Sequence, residues 1–511
     1  MTALTVPELE QRVALNEGRI AQTLAPYDPV TATLAWFDTL RAIEDCINLP
    51  HHNWSDDQVL PGLYAQPVMG MIHQPAKLQE TRDMLAKEFT EPFANRFLQL
   101  LVRGAAIGMS FGGHGLVHVS AGFTTVGSMI GYLMSRRRHM VGMLHALPHL
   151  CRGRIKVDPL DTLNLFLPAI EMDALSLVGA EQALLVKASA ARLGLGENAT
   201  PDYALLDPLF LEPERSKITE MPTTEAGARI LARRETLAPD RLFSAAELRN
   251  DILMIEAAYA EFDLSGTDFA AAADFVRRMS RDHIERDFWI AIRPQALRRL
   301  FDRCALPEPL RRALVHDEPR FSACLSTYAP FVLVDGMYRT TVTLLSRFMY
   351  HWRAVTLDRR KRYQIRTGFI FEAAVASKLR EQGFDVQDIT RINRHEFDVV
   401  TVRDGVIWNV QCKNNFLDLE RLEADPARFA KYNAMLVRGY ERALAKERRR
   451  ENVLTAKLDN TRIEHMLVAR FPVVTDNPRV VPFSRIGRFS EIADEVALAP
   501  DASHLTEGVS G

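Results

Sequence analysis

The sequence predicts a multidomain protein: mainly α-helical over about its first 355 residues, then α/β with a central mixed sheet. Three observations predict this. Apolar residues recur every three or four positions through most of residues 1–355. Beyond residue 356, short apolar runs alternate with helical stretches. Two of those runs, "EFDVVTV" and "VIWNVQCK", meet at Asp404-Gly405, the strongest short-range signal for a β-hairpin.

The elements follow in order. Residues 1–200 read as a helical region, with stretches such as "PVTATLAWFDTLRAIEDCINL" and "FANRFLQLLVRGAAIG". Within it, Gly104 to Met134 has no Asp, Glu, Lys or Arg and exceeds the ~20 residues that span a bilayer. It is rich in Gly, Ser and Thr and holds two histidines, so it reads as a buried, Gly-rich helix pair rather than a membrane span. Residues 201–226, polar and Pro-containing, read as a loop or linker. Residues 227–355 read as a second helical region, including one long periodic stretch from Asp268 to Leu306. Residues 356–498 then hold a basic lead-in "LDRRKRYQIRTG", a helix "GFIFEAAVASKLREQG" with a C-cap signal at Gly383, and a strand "FDVQDI". The hairpin follows, then a long charged helix from about Asp425 to Glu451, two further strand candidates and a last helix, "FSEIADEVAL". Residues 499–511 read as a disordered tail.

Composition narrows the classes. With 511 residues, 47% of them hydrophobic, the chain can bury large cores. At a net charge of −2, the whole-chain balance predicts no partner. Five scattered cysteines without a CxxC pair argue against a disulfide framework or zinc cluster and fit a reducing cytoplasm. The pairs His114/His118 and His145/His149 have metal-ligand spacing but no third ligand, so they read as buried or capping histidines.

The hairpin carries the chemistry. With Asp404 and Gly405 as its two-residue turn, Asp398 falls opposite Gln411 and Glu396 opposite Lys413. Opposed residues share a face, so the spacing predicts all four polar groups on one face, far from the turn. Phe397, Val399, Thr401, Trp408, Val410 and Cys412 would form the other, core-facing side. Charges at the edge of a largely buried sheet are costly unless they pair or bind a metal. A Glu396–Lys413 ion pair with a solvated Asp398 accounts for the same pattern. Glu372, set among Phe369, Ile370, Phe371, Ala373, Ala374 and Val375, adds an acid inside an apolar patch. It reads either as a helix-flank glutamate or as a carboxylate reaching the polar end of the sheet.

Two carboxylates (Asp398, Glu372), the Gln411 side-chain oxygen and the Cys412 backbone carbonyl make a hard-oxygen set suited to Mg²⁺. Lys413 beside it would stabilise negative charge building on a phosphate, as phosphodiester hydrolysis requires. The order Glu372, Asp398, Gln411-Cys412-Lys413 resembles the PD-(D/E)XK nuclease superfamily, most closely its Mrr-like restriction endonuclease branch. Twelve residues separate Asp398 from Gln411. Phe397 stands where a proline precedes the aspartate in the named motif, and Gln411 replaces an acid. The resemblance covers about residues 360–490. It implies a restriction-endonuclease-like fold, DNA cleavage with Mg²⁺ (Mn²⁺ substituting), Glu372, Asp398, Gln411 and Lys413 as catalytic residues, and a role in restriction or anti-phage defence. An inactive nuclease-fold module that only binds nucleic acid or a protein partner is the alternative.

Local charge supports a nucleic-acid partner, DNA in this reading, with RNA as the open alternative. From 356 to 489 there are 26 Lys+Arg against 18 Asp+Glu, an excess of 8. Arg359, Arg360, Lys361 and Arg362 precede the Glu372 helix, and Arg428 and Lys431 open the long charged helix. As a set these read as phosphate contacts; taken singly, each reads as part of a solvated helix face. Self-association through the helical region is the other partnership expected.

Overall fold

The computed structural model describes residues 4–48, 62–63, 65–159, 161–196, 224–237, 244–285, 288–415 and 425–498. Most of the linker at 201–226 and all of the tail at 499–511 lie outside them. The principal helices are α1 (Val6–Leu24), α2 (Pro29–Asn48), α3 (Glu91–Gly113), α4 (Val126–Leu150) and α5 (Leu175–Leu193). They continue with α6 (Asp268–Asp282), α7 (Val342–Leu357), α8 (Lys361–Arg380), α9 (Pro426–Arg448), α10 (Glu451–Leu458) and α11 (Phe489–Leu498).

A first core gathers the apolar faces of α2, α3 and α4 around Trp36, Phe93, Phe111 and Leu144. The Gly-rich segment is a close helix contact inside it. A Cβ added at Gly104 would lie 2.5 Å from Met129 Sδ, and one at Gly108 would lie 3.2 Å from Phe123 Cβ. Among the described residues one helical stretch, Thr162–Leu193, is long and apolar enough to cross a membrane, and 56% of its apolar 18-residue window is buried within the fold.

The second core, around Phe269, Phe275, Phe331 and Phe348, holds an element absent from the expectation. The periodic stretch from Asp268 breaks after Asp282 into strand β1 (Trp289–Ile292) and a helix starting at Pro294. Pro294 lacks the N–H that a continuing helix needs, and "FWIAI" has the aromatic and β-branched character of a strand. Strands β2 (Val332–Val334) and β3 (Met337–Thr341) turn at Asp335-Gly336 and complete a sheet in the order β1-β3-β2.

The C-terminal part is α/β. A mixed five-stranded sheet runs β10-β9-β8-β7-β4, from β4 (Asp385–Gln387), β7 (Val399–Arg403), β8 (Val406–Lys413), β9 (Ile463–Ala469) and β10 (Val480–Pro482). Strand β8 pairs antiparallel with β7 and parallel with β9. Helices α8 and α11 cover one face through Phe371, Val375, Trp408, Val410 and Phe489. Helices α9 and α10 cover the other through Leu436, Tyr440, Leu467, Ile407 and Leu454. Helix α5 of the N-terminal region packs along α9, and its Leu193 joins that core.

Candidate active site

The turn places the site. Asp404 (φ 52°) and Gly405 (φ 71°) both take left-handed backbone, the geometry of a two-residue hairpin turn that follows the strand twist. The register runs from Arg403–Val406 to Val399–Val410, as turn counting predicts. One step further, Asp398 lies just before β7, and its Oδ2 accepts the Cys412 N–H at 2.7 Å. A strand residue sends its N–H and C=O to the same side, so the Cys412 carbonyl also points past the start of β7.

Side chains of β8 alternate. Trp408, Val410 and Cys412 face α8, while Ile407, Asn409, Gln411 and Lys413 face α9 and α10. Gln411 is buried, and Lys413 Nζ donates to its Oε1 at 3.3 Å. Glu372 comes from α8, on the opposite face, and its charge is felt across the sheet end. Burial pushes Glu372 up to about 7; the Asp398 charge adds to this and Lys413 opposes it. Burial also raises Asp398, against the Cys412 N–H and Lys413. The Cys412 thiol is pushed well up by burial, then by Asp398 and Glu372. Thus Glu372, Asp398, Cys412 and Lys413 form one mutually interacting group.

Glu396 adds a further raising charge at Glu372 but does not lie on the sheet face. It lies in a separate two-stranded ribbon, β5 (Arg391–Ile392) with β6 (His395–Glu396), exposed and 4.0 Å from Arg391. The ladder breaks at Phe397 and Asp398, where the Phe397 N–H turns to the Thr390 carbonyl. The break also flips Phe397, which packs with Val400, Ile407 and Leu454 instead of with Val399.

The expected basic groups divide. Arg360 is tied down: its Nη1 donates to the Phe262 carbonyl at 2.6 Å, and Arg362 sits over the Phe262 ring at 5.9 Å. These two anchor α8 to the second helical core. Arg359 and Lys361 are exposed beside them. Arg428 and Lys431 fall on a single exposed stripe of α9 with Arg438, Arg442 and Lys446, at successive helical spacings. From Arg428 to Lys446 the stripe spans about 27 Å. Its C-terminal end opens on the site: Arg442, Lys446, Gly439 and Ala443 line a solvent-open cleft of about 430 Å³ with Gln411 and Lys413.

Sequence reasoning missed a buried polar network under the sheet. Glu447, 1% exposed, pairs with Arg450 and accepts from Asn409 Nδ2 at 2.9 Å. Arg450 Nη2 donates to the Glu396 carbonyl at 2.8 Å, and its guanidinium lies 4.7 Å over the Phe397 ring. Arg450 therefore grips the two residues that precede Asp398. Nothing in the run "KERRR" tells these inward groups from the outward ones except helical phase. Arg470 closes the far side: its N–H donates to the Lys413 carbonyl at 2.9 Å and its Nη1 to Asn414 Oδ1 at 3.1 Å.

Among the described residues no three His, Cys, Asp or Glu side chains are placed to hold a metal ion. A cation here would rest on two carboxylates and neutral oxygens. No protein-family model, curated protein or solved structure matches the chain.

Proposed function

We propose that the protein is a divalent-metal-dependent DNA endonuclease whose C-terminal domain is restriction-endonuclease-like, of the PD-(D/E)XK type and its Mrr-like branch. One observation carries the reading: half-buried Glu372 lies in the field of half-buried Asp398 beside Lys413, and Asp398's charge adds to the burial that pushes Glu372 up to about 7. Two crowded carboxylates are unfavourable alone and favourable around a cation. Asp398, Glu372, the Gln411 Oε1 and the Cys412 carbonyl would hold Mg²⁺ or Mn²⁺. Such an ion, when bound, supplies Lewis-acid polarisation of a phosphoryl oxygen and a more acidic water. Lys413 would set its ammonium against the phosphate oxygens as charge builds there. Arg442 and Lys446, across the cleft, would hold neighbouring phosphates. The five cysteines are free, which accords with a cytoplasmic location. By analogy with restriction-type enzymes, its role would be defence against foreign DNA.

Incubating the purified protein with supercoiled plasmid tests this. The expected result is nicking or linearisation with Mg²⁺ or Mn²⁺ and none in EDTA. A second reading, a module that binds nucleic acid without cutting, is favoured by the donor set: two acids only, with Lys413 already bonded to Gln411. Retention of plasmid in a gel without cleavage under any divalent ion would select it.

A further inference from the structure

A second cavity, of about 440 Å³, lies far along the chain from the hairpin, between α2, α3 and the segment just before β1. Its size falls in the range of small-molecule sites. Three guanidiniums line it, those of Arg41, Arg96 and Arg103, against one lining carboxylate, Asp38. Beneath the lining is Asp45, 3% exposed. Arg41 Nε lies 3.0 Å from one of its oxygens and Arg96 Nη2 lies 3.2 Å from the other. One carboxylate is thus shared by two cations.

The other acids nearby do not line the cavity. Glu44 is taken by Arg137, with bonds of 2.7 and 2.9 Å. Asp158 and Asp161 act on Arg103, and Glu247 on Arg41, all from outside the lining. The guanidiniums are also held in place. Arg41, 5% exposed, sets its guanidinium carbon 4.0 Å from the Phe288 ring centroid. Arg103 Nη1 is tethered to the Pro159 carbonyl at 2.9 Å. Fixed, partly dehydrated guanidinium forks in a pocket suit the oxygens of a phosphate, which accepts two parallel N–H bonds from each.

We propose that this cavity binds a phosphorylated small molecule of about mononucleotide size, its phosphate oxygens taken by Arg41, Arg96 and Arg103. The cavity is too small for a nucleic-acid strand, so this ligand differs from the substrate of the C-terminal site. Phe288 leads into β1, and its carbonyl accepts the Val342 N–H at 3.0 Å. The ligand would therefore bridge the first and second helical cores.

Isothermal titration of the full chain tests the proposal, with inorganic pyrophosphate and adenosine monophosphate as probes and adenosine as the phosphate-free control. The inference is independent of the nuclease reading, because the readout is binding and needs no cleavage. The expected result is saturable binding of at least one phosphate probe, no binding of adenosine, and a loss of tenfold or more in Arg103→Gln. Arg103 is partly exposed and, among the described residues, its side chain bonds a loop carbonyl, so this variant should fold; Arg96→Gln, checked by circular dichroism, is the second arm. Binding of neither phosphate probe up to about 5 mM, a weak limit on the affinity scale, would overturn the proposal and leave an ion-pair cluster with a structural role only. So would adenosine binding as tightly as the monophosphate, or less than a tenfold loss in both variants.

Discussion

Glu372 holds its proton to about pH 7 because burial and the Asp398 charge both disfavour the carboxylate. Its unfolded counterpart loses that proton near the ordinary value of 4.5. The folded state therefore binds more protons between these values. The associated stability is complete below about 4.5, falls as pH rises, and is gone above about 7. Glu372→Gln removes the penalty, so the metal-free variant should be about 1–2 kcal/mol more stable than wild type at pH 8, allowing for solvent screening of a half-buried group. At pH 4 the two should match. Urea unfolding at both values checks this, and equal curves at pH 8 would count against a crowded carboxylate pair. Arg450 poses the converse case. Arg450→Gln strands the buried Glu447 and should cost about 3 kcal/mol or more. Adding Glu447→Gln should recover part of the loss, a coupling that a double-mutant cycle in urea measures.

Helix α9 gathers Arg428, Lys431, Arg438, Arg442 and Lys446 on one exposed basic stripe. Arg442 and Lys446 are exposed and bond nothing needed for folding among the contacts described, apart from Arg442 Nε to the Arg438 carbonyl. Arg442→Ala/Lys446→Ala should keep the melting temperature within about a degree, since surface changes of this kind are worth ~0.5 kcal/mol or less. It should weaken DNA binding and lower the slope of log K against log salt by about 2, one unit per phosphate contact. Fluorescence anisotropy across salt concentrations measures it. At this scale the sequence was legible wherever a local signal decided the outcome. The Asp404-Gly405 turn set the register of β7 and β8, and with it Asp398 beside Cys412. The long charged helix was likewise legible, with Arg428 and Lys431 in its opening turns. The same Asp-Gly signal at Asp335-Gly336 was submerged in a stretch whose periodicity read as helix. Glu396 was misplaced because its position depends on tertiary groups: the Arg450 guanidinium on its carbonyl and the Thr390 carbonyl on the next N–H.

Across the whole molecule the helical cores reach the end of β8 that bears Lys413. Tyr363 of α8 packs in the second core, and Arg353 Nη1 donates to the Tyr259 hydroxyl at 2.8 Å. Asp358, pushed up to about 6 by burial against the pull of Arg470 and Arg353, lies in this same cluster. Arg470 in turn holds the backbone of Lys413. Helix α5 lies along α9, the helix that carries the basic stripe. The helical region is thus built into the floor beneath the candidate site. Such long-range packing left no mark in local sequence patterns. The measurement that tests the central claim most directly is plasmid cleavage by Lys413→Ala beside wild type, each with saturating Mg²⁺. Loss of about 10²-fold or more in rate, with melting temperature and DNA binding retained, is the predicted result, the scale expected for removing one group that stabilises transition-state charge. Cleavage by Lys413→Ala at the wild-type rate would contradict it.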